Sequence, residues 1–312
     1  MPLLTLLAAI GRRGTFFVAA SIFVGLAIPG IAAFLRPILG ETIFYLLTLA
    51  FLRVNPAELH LHFRRPGLIA AAAAWVMLVS PAVLGLSFFA LGFQSMSGLY
   101  FMLILQIAAP PLMSSPAMAA LLGLDVALTL AGLVLCMTLT PLTASSFSHA
   151  FLGTSLISPA WFGFVLFCYI AGSFLTATIV RWAVGDARIE ANRPAIDGLS
   201  VIGLFIFAVA AMDGVTDNFR ADPALVVKLT VLAFALTLGM IALTTLVFLR
   251  AGRARALSIG IMTGNRNIGL MMAATGFSVP EVAWLYFAVA QFPIYLLPAV
   301  LKPLASRFVA RR

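Results

Sequence analysis

Long apolar stretches, separated by short polar or charged segments, run through almost the whole chain. Most are about 20 residues long, the length at which an α-helix crosses the hydrocarbon part of a bilayer. The stretches lie near residues 14–35, 38–53, 67–90, 98–121, 125–147, 158–182, 195–214, 224–249, 257–277 and 280–301. This pattern predicts an all-α integral membrane protein with ten transmembrane helices, and it leaves no room for a soluble domain of ordinary size.

Composition supports this class of protein. Hydrophobic residues make up 63% of the chain and charged residues 9%, whereas a typical soluble domain has about 25% charged residues. A net charge of +9 can indicate a nucleic-acid-binding protein, but here the basic residues lie in short loops rather than on one patch. We therefore expect a lipid bilayer as the surroundings of the chain and no nucleic-acid partner.

The basic residues also predict an orientation. If both termini are cytoplasmic, fifteen lysines and arginines fall on the cytoplasmic side, and three, Arg36, Arg220 and Lys228, fall on the other. This split follows the positive-inside rule. We expect a multi-pass protein of the cell inner (plasma) membrane whose residues 302–312 form a basic cytoplasmic tail. The first 10 residues are apolar but too short to span, and they lack the basic segment and cleavage site of a signal peptide.

Two of the apolar stretches contain residues that interrupt a helix. The fourth contains Pro110, Pro111 and Pro116, and the ninth contains a polar run that begins at Gly264 and ends at Gly269. Paired interruptions at corresponding places in two halves of a chain point to a transporter's binding site, because freed backbone groups meet the solute there. We expect helices 4 and 9 to be discontinuous and to cross.

The spacing of these interruptions predicts an internal repeat. The fourth and the ninth stretch hold the same place in two sets of five, and an odd number of spans per set makes the sets inverted in the membrane. We therefore expect a first five-helix repeat over residues 1–147 and a second, inverted repeat over 158–301.

Arg266 is the arginine that lies near the middle of an apolar stretch, where a charge costs roughly 2.5–3.5 kcal/mol even on a lenient scale. It could hold the crossed helices together through freed carbonyls and the side chains of Asn265 and Asn267. It could instead pair with the carboxylate or sulfonate of an anionic solute. A shift of one turn would let it reach the interface. The expected solute-binding residues are Ser114, Ser115, Asn265, Arg266 and Asn267.

The chain resembles the bile acid:sodium symporter family over about residues 14–301. The segments that carry the resemblance are Leu52–Leu59, Phe63–Pro66, Ala108–Pro116, Gly123–Thr129, Thr140–Leu142 and Gly264–Leu270. The resemblance implies a core domain made of spans 3, 4, 5, 8, 9 and 10 and a panel domain made of spans 1, 2, 6 and 7. It also implies transport of organic anions, from bile-acid-like amphiphiles to carboxylates, by rocking of the core against the panel.

The chain departs from this family where the family binds sodium. The resemblance places an acidic residue, two glutamines, an asparagine and a threonine of the family at Met262, Arg266, Val76 (or a neighbour), Pro116 and Leu133. Hydroxyl groups that could remain of an ion site are at Ser115, Thr129 and Thr263. Because sodium needs several oxygen ligands, we expect no sodium at these positions, and we expect no metal and no cofactor.

These observations predict a secondary transporter of a small organic anion. An intramembrane enzyme would need a constellation of His, Asp or Glu within the spans, and the sequence has none. A retinal protein would need a mid-span lysine, but Lys228 and Lys302 lie at span ends. A conventional sodium-coupled symporter and a membrane receptor that binds an organic anion without transporting it stay open as alternatives. No obligate protein partner is implied.

Overall fold

The computed structural model describes residues 2–12, 14–54, 66–154 and 158–310. These residues form helices and turns and no β-strand. Six of the described helices are long and apolar enough to cross a membrane, or eight if each of two bent helix pairs counts as one span. This is the pattern of a multi-pass membrane protein. Residues 55–65, which carry part of the family resemblance, lie outside the described residues.

The α-helices are numbered here in chain order. They are α1 (Pro2–Arg12), α2 (Gly14–Ala27), α3 (Pro29–Leu35), α4 (Leu39–Arg53), α5 (Pro66–Ala74), α6 (Ser80–Ala90), α7 (Ser97–Ala108), α8 (Ser115–Leu121), α9 (Val126–Leu152), α10 (Pro159–Val184), α11 (Asp186–Ala191), α12 (Arg193–Ala211), α13 (Val215–Ala221), α14 (Pro223–Val247), α15 (Arg253–Gly264), α16 (Ile268–Ala274), α17 (Glu281–Val289) and α18 (Gln291–Ala310). A π-helical turn, Trp75–Val79, joins α5 to α6.

The chain divides into two compact units. Unit 1 consists of Met1–Asn55 and Cys168–Leu229, and unit 2 consists of Pro56–Phe167 and Thr230–Arg312. Two of the boundaries between them fall inside α10 and α14, so each of these two helices contributes to both units.

In unit 1, α12 is the central helix, and α1, α2, α3 and α4 pack against it. Two glycines allow the close approach of α1. A Cβ atom at Gly198 would collide with the carbonyl oxygen of Leu7, and one at Gly11 would lie 2.9 Å from the carbonyl oxygen of Pro194. The apolar N-terminal segment, too short to span by itself, is therefore a helix packed on the centre of unit 1.

Arginine–aspartate pairs occur at both ends of unit 1. Arg53, the last residue of α4, pairs with Asp197 near the start of α12 at 3.1 Å. Arg36, which precedes α4, pairs at 2.8 Å with Asp213, which follows α12. The two helices are therefore antiparallel, and the two pairs lie at opposite ends of them.

In unit 2, the two broken segments are the innermost elements. Every residue from Leu99 to Pro111 and every residue from Ala256 to Ala274 is buried. Helices α9 and α17 pack against α7, and α15 packs against α9. A polar group in these two segments is therefore surrounded by protein.

Three boundaries differ from those expected from the sequence. The stretch expected to be one helix over 14–35 breaks at Ile28, because Pro29 follows and a residue before proline is disfavoured in the helical conformation. The helix that begins at Pro29 continues through the 3₁₀ turn Arg36–Ile38 to Arg53, although the sequence predicted a boundary between two spans at about this turn. The expected basic tail over 302–312 is helical as far as Ala310, because α18 continues into it.

Candidate functional site

The first broken segment is interrupted by residues that lack a backbone N–H. Helix α7 ends at Ala108, the backbone of Ala109 is extended, and α8 begins only at Ser115. Pro110 and Pro111 cannot donate the hydrogen bonds that would continue α7, and each disfavours the helical conformation of the residue before it. Pro116 lies in the first turn of α8, where proline is tolerated.

The second broken segment is interrupted by polar residues. Helix α15 ends at Gly264, the backbone of Asn265 is extended, and the side chain of Asn267 caps α16 by accepting a hydrogen bond from the N–H of Leu270 at 3.2 Å. Gly269, expected to be part of the break, is the second residue of α16, because the Asn267 cap starts this helix earlier. The break itself therefore consists of Asn265, Arg266 and Asn267.

Gly264 has a packing role that the sequence did not suggest. A Cβ atom there would lie 2.7 Å from the carbonyl oxygen of Thr237 and would clash with the side chain of Ile241, both on α14. The absence of a side chain therefore lets α14 approach the end of α15.

The two breaks meet as a short antiparallel pair of extended segments. The N–H of Leu112 donates to the carbonyl oxygen of Asn265, and the N–H of Asn267 donates to the carbonyl oxygen of Pro110, each at 2.8 Å. Pro111 and Arg266 lie opposite each other in this pair. The structure thus brings the interrupted parts of the fourth and ninth apolar stretches together, and we call these residues, 110–112 and 265–267, the crossing.

Arg266 is the charged residue of the crossing, and its side chain is enclosed. The residue is 1% exposed. Its Nε donates to the carbonyl oxygen of Thr263 at 2.7 Å, and its Nη1 donates to the carbonyl oxygens of Val76 at 2.9 Å and Ala109 at 2.7 Å. Its Nη2 donates to the Oγ of Ser80 at 2.9 Å. Four of the five N–H groups that a guanidinium carries are used by these bonds.

Each carbonyl that accepts from Arg266 lacks a backbone N–H donor because a helix is irregular there, although the Ser80 hydroxyl also donates to Val76 at 3.3 Å. The N–H of Asn267 would bond to Thr263 in a continuous helix but bonds to Pro110 instead. Ala109 lies in the break after α7. In the π-helical turn the N–H of Ser80 bonds to Trp75, and the next possible donor to Val76, residue 81, is a proline.

The positive charge at the crossing is not neutralised by an acid. The partners of Arg266 are three carbonyls and one hydroxyl, and no ion pair of the described residues includes it. Charge-assisted hydrogen bonds offset part of the free energy of desolvating the guanidinium. The crossing therefore carries a net positive charge in surroundings of low dielectric constant.

The other expected solute-binding residues differ in what their side chains bond. Asn265 is fully buried, and its Oδ1 has no hydrogen-bond partner among the described residues. Asn267 is buried, and its side chain caps α16. Ser114 is half-buried, whereas Ser115 is buried and donates to the carbonyl oxygen of Leu112 at 2.6 Å. The amide oxygen of Asn265 is thus a buried acceptor that lacks a partner among the described residues.

The expected residual ion-site hydroxyls bond within their own helices. Thr129 donates to the carbonyl oxygen of Val126 at 2.8 Å, and Thr263 donates to that of Ile259 at 2.8 Å. Met262 and Val76 pack together in an apolar cluster that also contains Cys136. The described residues contain no group of three His, Cys, Asp or Glu that could hold a metal ion.

The part of this site contributed by the third apolar stretch was not predicted from the sequence. Ser80 and the carbonyl of Val76 hold Arg266, although neither residue type suggests an arginine partner. The available signal was the pair Ser80-Pro81 inside an apolar stretch, since a proline there leaves an earlier carbonyl without its donor.

Comparison of the chain with protein-family models and with curated proteins found no match.

Proposed function

We propose that this chain is a secondary transporter of a small organic anion that works by alternating access, resembles the bile acid:sodium symporters and does not use their sodium sites. The antiparallel crossing of the two broken segments is the observation that carries the proposal. Discontinuous helices that meet in mid-membrane supply backbone and side-chain groups to a solute, and they are otherwise costly because the bilayer offers no water to freed backbone groups.

The charge at the crossing supports an anion as the solute. Arg266 has no acidic partner among the described residues, so its charge favours an anion nearby even though most of its N–H groups are already used. We infer that Arg266 holds the crossing together as a tethered cation. Asn265, Asn267 and Ser114 then make the direct contacts with the solute, with Ser115 supporting the turn before α8.

The family's sodium sites are not expected to work in this chain. Met262 and Val76 are buried in an apolar cluster and offer no side-chain oxygen. The guanidinium of Arg266 already binds the backbone carbonyls of Thr263, Val76 and Ala109 beside the crossing, which are the ligand type that a hard cation would use. Uniport, exchange and proton coupling are the driving forces consistent with this arrangement.

The division into two units supports a moving-domain mechanism. Unit 2 holds the third, fourth, fifth, ninth and tenth apolar stretches and most of the eighth, and unit 1 holds the first, second and seventh and much of the sixth. We propose that these units correspond to the core and panel domains implied by the family resemblance.

We also propose the number of membrane spans and their orientation. If each of the two broken segments spans the bilayer once, the higher count of eight spans becomes ten, the number that two inverted five-helix repeats require. We propose that the chain lies in the inner (plasma) membrane with both termini cytoplasmic. The pairing of Arg53 at one end of unit 1 and Arg36 at the other fits their assignment to opposite sides.

The test is counterflow in liposomes that contain the purified full chain. Thermal stability with taurocholate, pyruvate and other organic anions selects the labelled anion, since a ligand of the folded state raises the melting temperature. Counterflow of that anion at equal rates in sodium and choline chloride is the expected result. Uptake only in sodium would mean a conventional symporter, and saturable binding without counterflow would mean a receptor; either result overturns the proposal.

A further inference from the structure

An open apolar groove lies on unit 2, and none of the residues 110–112 and 265–267 of the crossing is among those that line it. Its volume is about 460 Å³, and it is lined by α14, α15 and α18 together with Leu122. The lining is apolar except for Thr245, whose hydroxyl donates to the carbonyl oxygen of Ile241 at 2.7 Å. Leu246 and Leu304, which line it, are 65% and 54% exposed. The groove therefore offers an occupant apolar contact and no free side-chain hydrogen bond.

A cation without an acceptor lies at one end of this groove. The guanidinium carbon of Arg253 is 5.8 Å from the centre of the ring of Phe308, which is one of the lining residues. The Nη1 of Arg253 is buried and has no hydrogen-bond partner among the described residues. The neighbouring Arg255, by contrast, donates to the carbonyl oxygen of Ala251 and lies 3.4 Å from a carboxylate oxygen of Asp125.

The first backbone N–H groups of α15, at this end of the groove, have no side-chain cap among the described residues. Arg253 is the first residue of the twelve-residue helix α15, and its cap position is Gly252, which has no side chain to accept from those groups. A helix start favours negative charge, and a guanidinium whose charge is partly removed from water favours it further. The polar end of the groove is thus complementary to an acidic group such as a phosphate.

We propose that this groove binds one anionic glycerophospholipid, with an acyl chain along the apolar lining and the phosphate at Arg253. Helices α14 and α18 belong to the apolar segments of a membrane protein, so a lipid is the molecule whose two chemically different ends match the two ends of the groove. The groove is formed where α15 begins, and the same helix ends at the crossing. A bound lipid would therefore stabilise the position of α15, whatever solute the protein handles.

Native mass spectrometry of the full chain in detergent tests the site with two lipids that share their acyl chains. We expect dioleoylphosphatidylglycerol to bind about fivefold more tightly than dioleoylphosphatidylcholine, the preference that one interfacial cation gives. Arg253→Gln should remove this preference. Arg250→Gln is the matched control, because Arg250 is an exposed arginine on the turn just before α15 and does not line the groove.

A second variant tests the apolar part without disturbing the core. Ala242 lines the groove and is exposed, so Ala242→Trp should fill the groove, keep the melting temperature near that of the wild type, and weaken both lipids alike. Equal affinities for the two lipids in the wild type would overturn the proposal. So would equal effects of Arg250→Gln and Arg253→Gln, unchanged lipid binding by Ala242→Trp, or stabilisation by inorganic phosphate alone, which would mean a free-anion site.

Discussion

The two broken segments of unit 2 interrupt their helices by opposite chemistry. Residues 109–111 end a helix by removing donors, since two of the three are prolines, and they leave acceptors at Ala109 and Pro110. Residues 265–267 end a helix with side chains rich in donors, and Arg266 and the N–H of Asn267 fill those acceptors. The crossing is stable because each break supplies the hydrogen-bond donors or acceptors that the other lacks. Substitutions that give one break the chemistry of the other should therefore destabilise the crossing.

The largest effect is expected from Arg266→Met. This change leaves the buried carbonyls of Ala109 and Thr263 without their donor, and each buried acceptor left unsatisfied costs about 1–3 kcal/mol, or about 2–6 kcal/mol for the two. The free energy of unfolding, measured in denaturant, should fall by that amount. Arg220→Met is the control, because Arg220 has a side chain 76% exposed and should contribute less than about 1 kcal/mol. Similar losses from both variants would contradict the account.

A smaller loss is expected from Ser80→Ala, which removes the one side-chain acceptor of Arg266. A hydrogen bond to a charged group contributes about 1.5–3 kcal/mol, so unfolding free energy should fall within that range. Ser87→Ala, on the same helix, is the matched control, since the exposed Ser87 hydroxyl bonds only to Val83 and its loss should cost less than about 0.5 kcal/mol. If Ser80→Ala has no larger effect than Ser87→Ala, the Ser80 hydroxyl does not hold Arg266 in place.

Asn267→Ala tests the role of Asn267 as the cap of α16 without removing the charge of the neighbouring Arg266. Loss of the cap on α16 should lower the unfolding free energy by about 1 kcal/mol, and Asn267→Ser, which can still cap, should lower it by less. Thermal unfolding of both variants measures the difference. Equal stability of the two would show that the cap does not set the start of α16.

The smallest effect on stability is expected from Asn265→Leu. Its Oδ1 is buried without a partner, so a side chain of similar size should leave stability unchanged or raise it by up to about 1 kcal/mol. Counterflow of the organic anion should nevertheless be lost, because this oxygen is a buried acceptor of the crossing that has no partner among the described residues. A variant that transports normally would remove Asn265 from the solute site.

The sequence predicts the two breaks of the crossing but not the partners of Arg266. Pro110 and Pro111 predict the first break because a missing N–H acts at the residue itself, and Asn265 to Asn267 predict the second because a charge and two amides are costly in an apolar helix. Which residues would hold Arg266 did not follow from the sequence. Its partners are mostly backbone carbonyls, and every residue type carries one, so only the local irregularity of the helices selects them.

Other parts of the fold depend on contacts that one segment cannot reveal. The sequence suggests that Gly264 only interrupts a helix. Its lack of a side chain also lets α14, which is distant in sequence, pack closely against it. The N-terminal segment is too short to cross a bilayer, and its helix is stabilised by packing at Gly11 and Gly198. Such roles are set by the approach of a second helix.

The most direct test of the central claim is the melting temperature of the purified full chain in equimolar sodium, potassium and choline chloride. If Arg266 takes the place of a bound cation, the wild type should melt at the same temperature in all three salts. The double variant Met262→Glu, Arg266→Gln, which restores an acidic residue and an amide, should become more stable in sodium than in choline. A sodium-specific rise in the wild-type melting temperature would contradict the account, because it would mean that the crossing, or a site coupled to it, binds sodium despite Arg266.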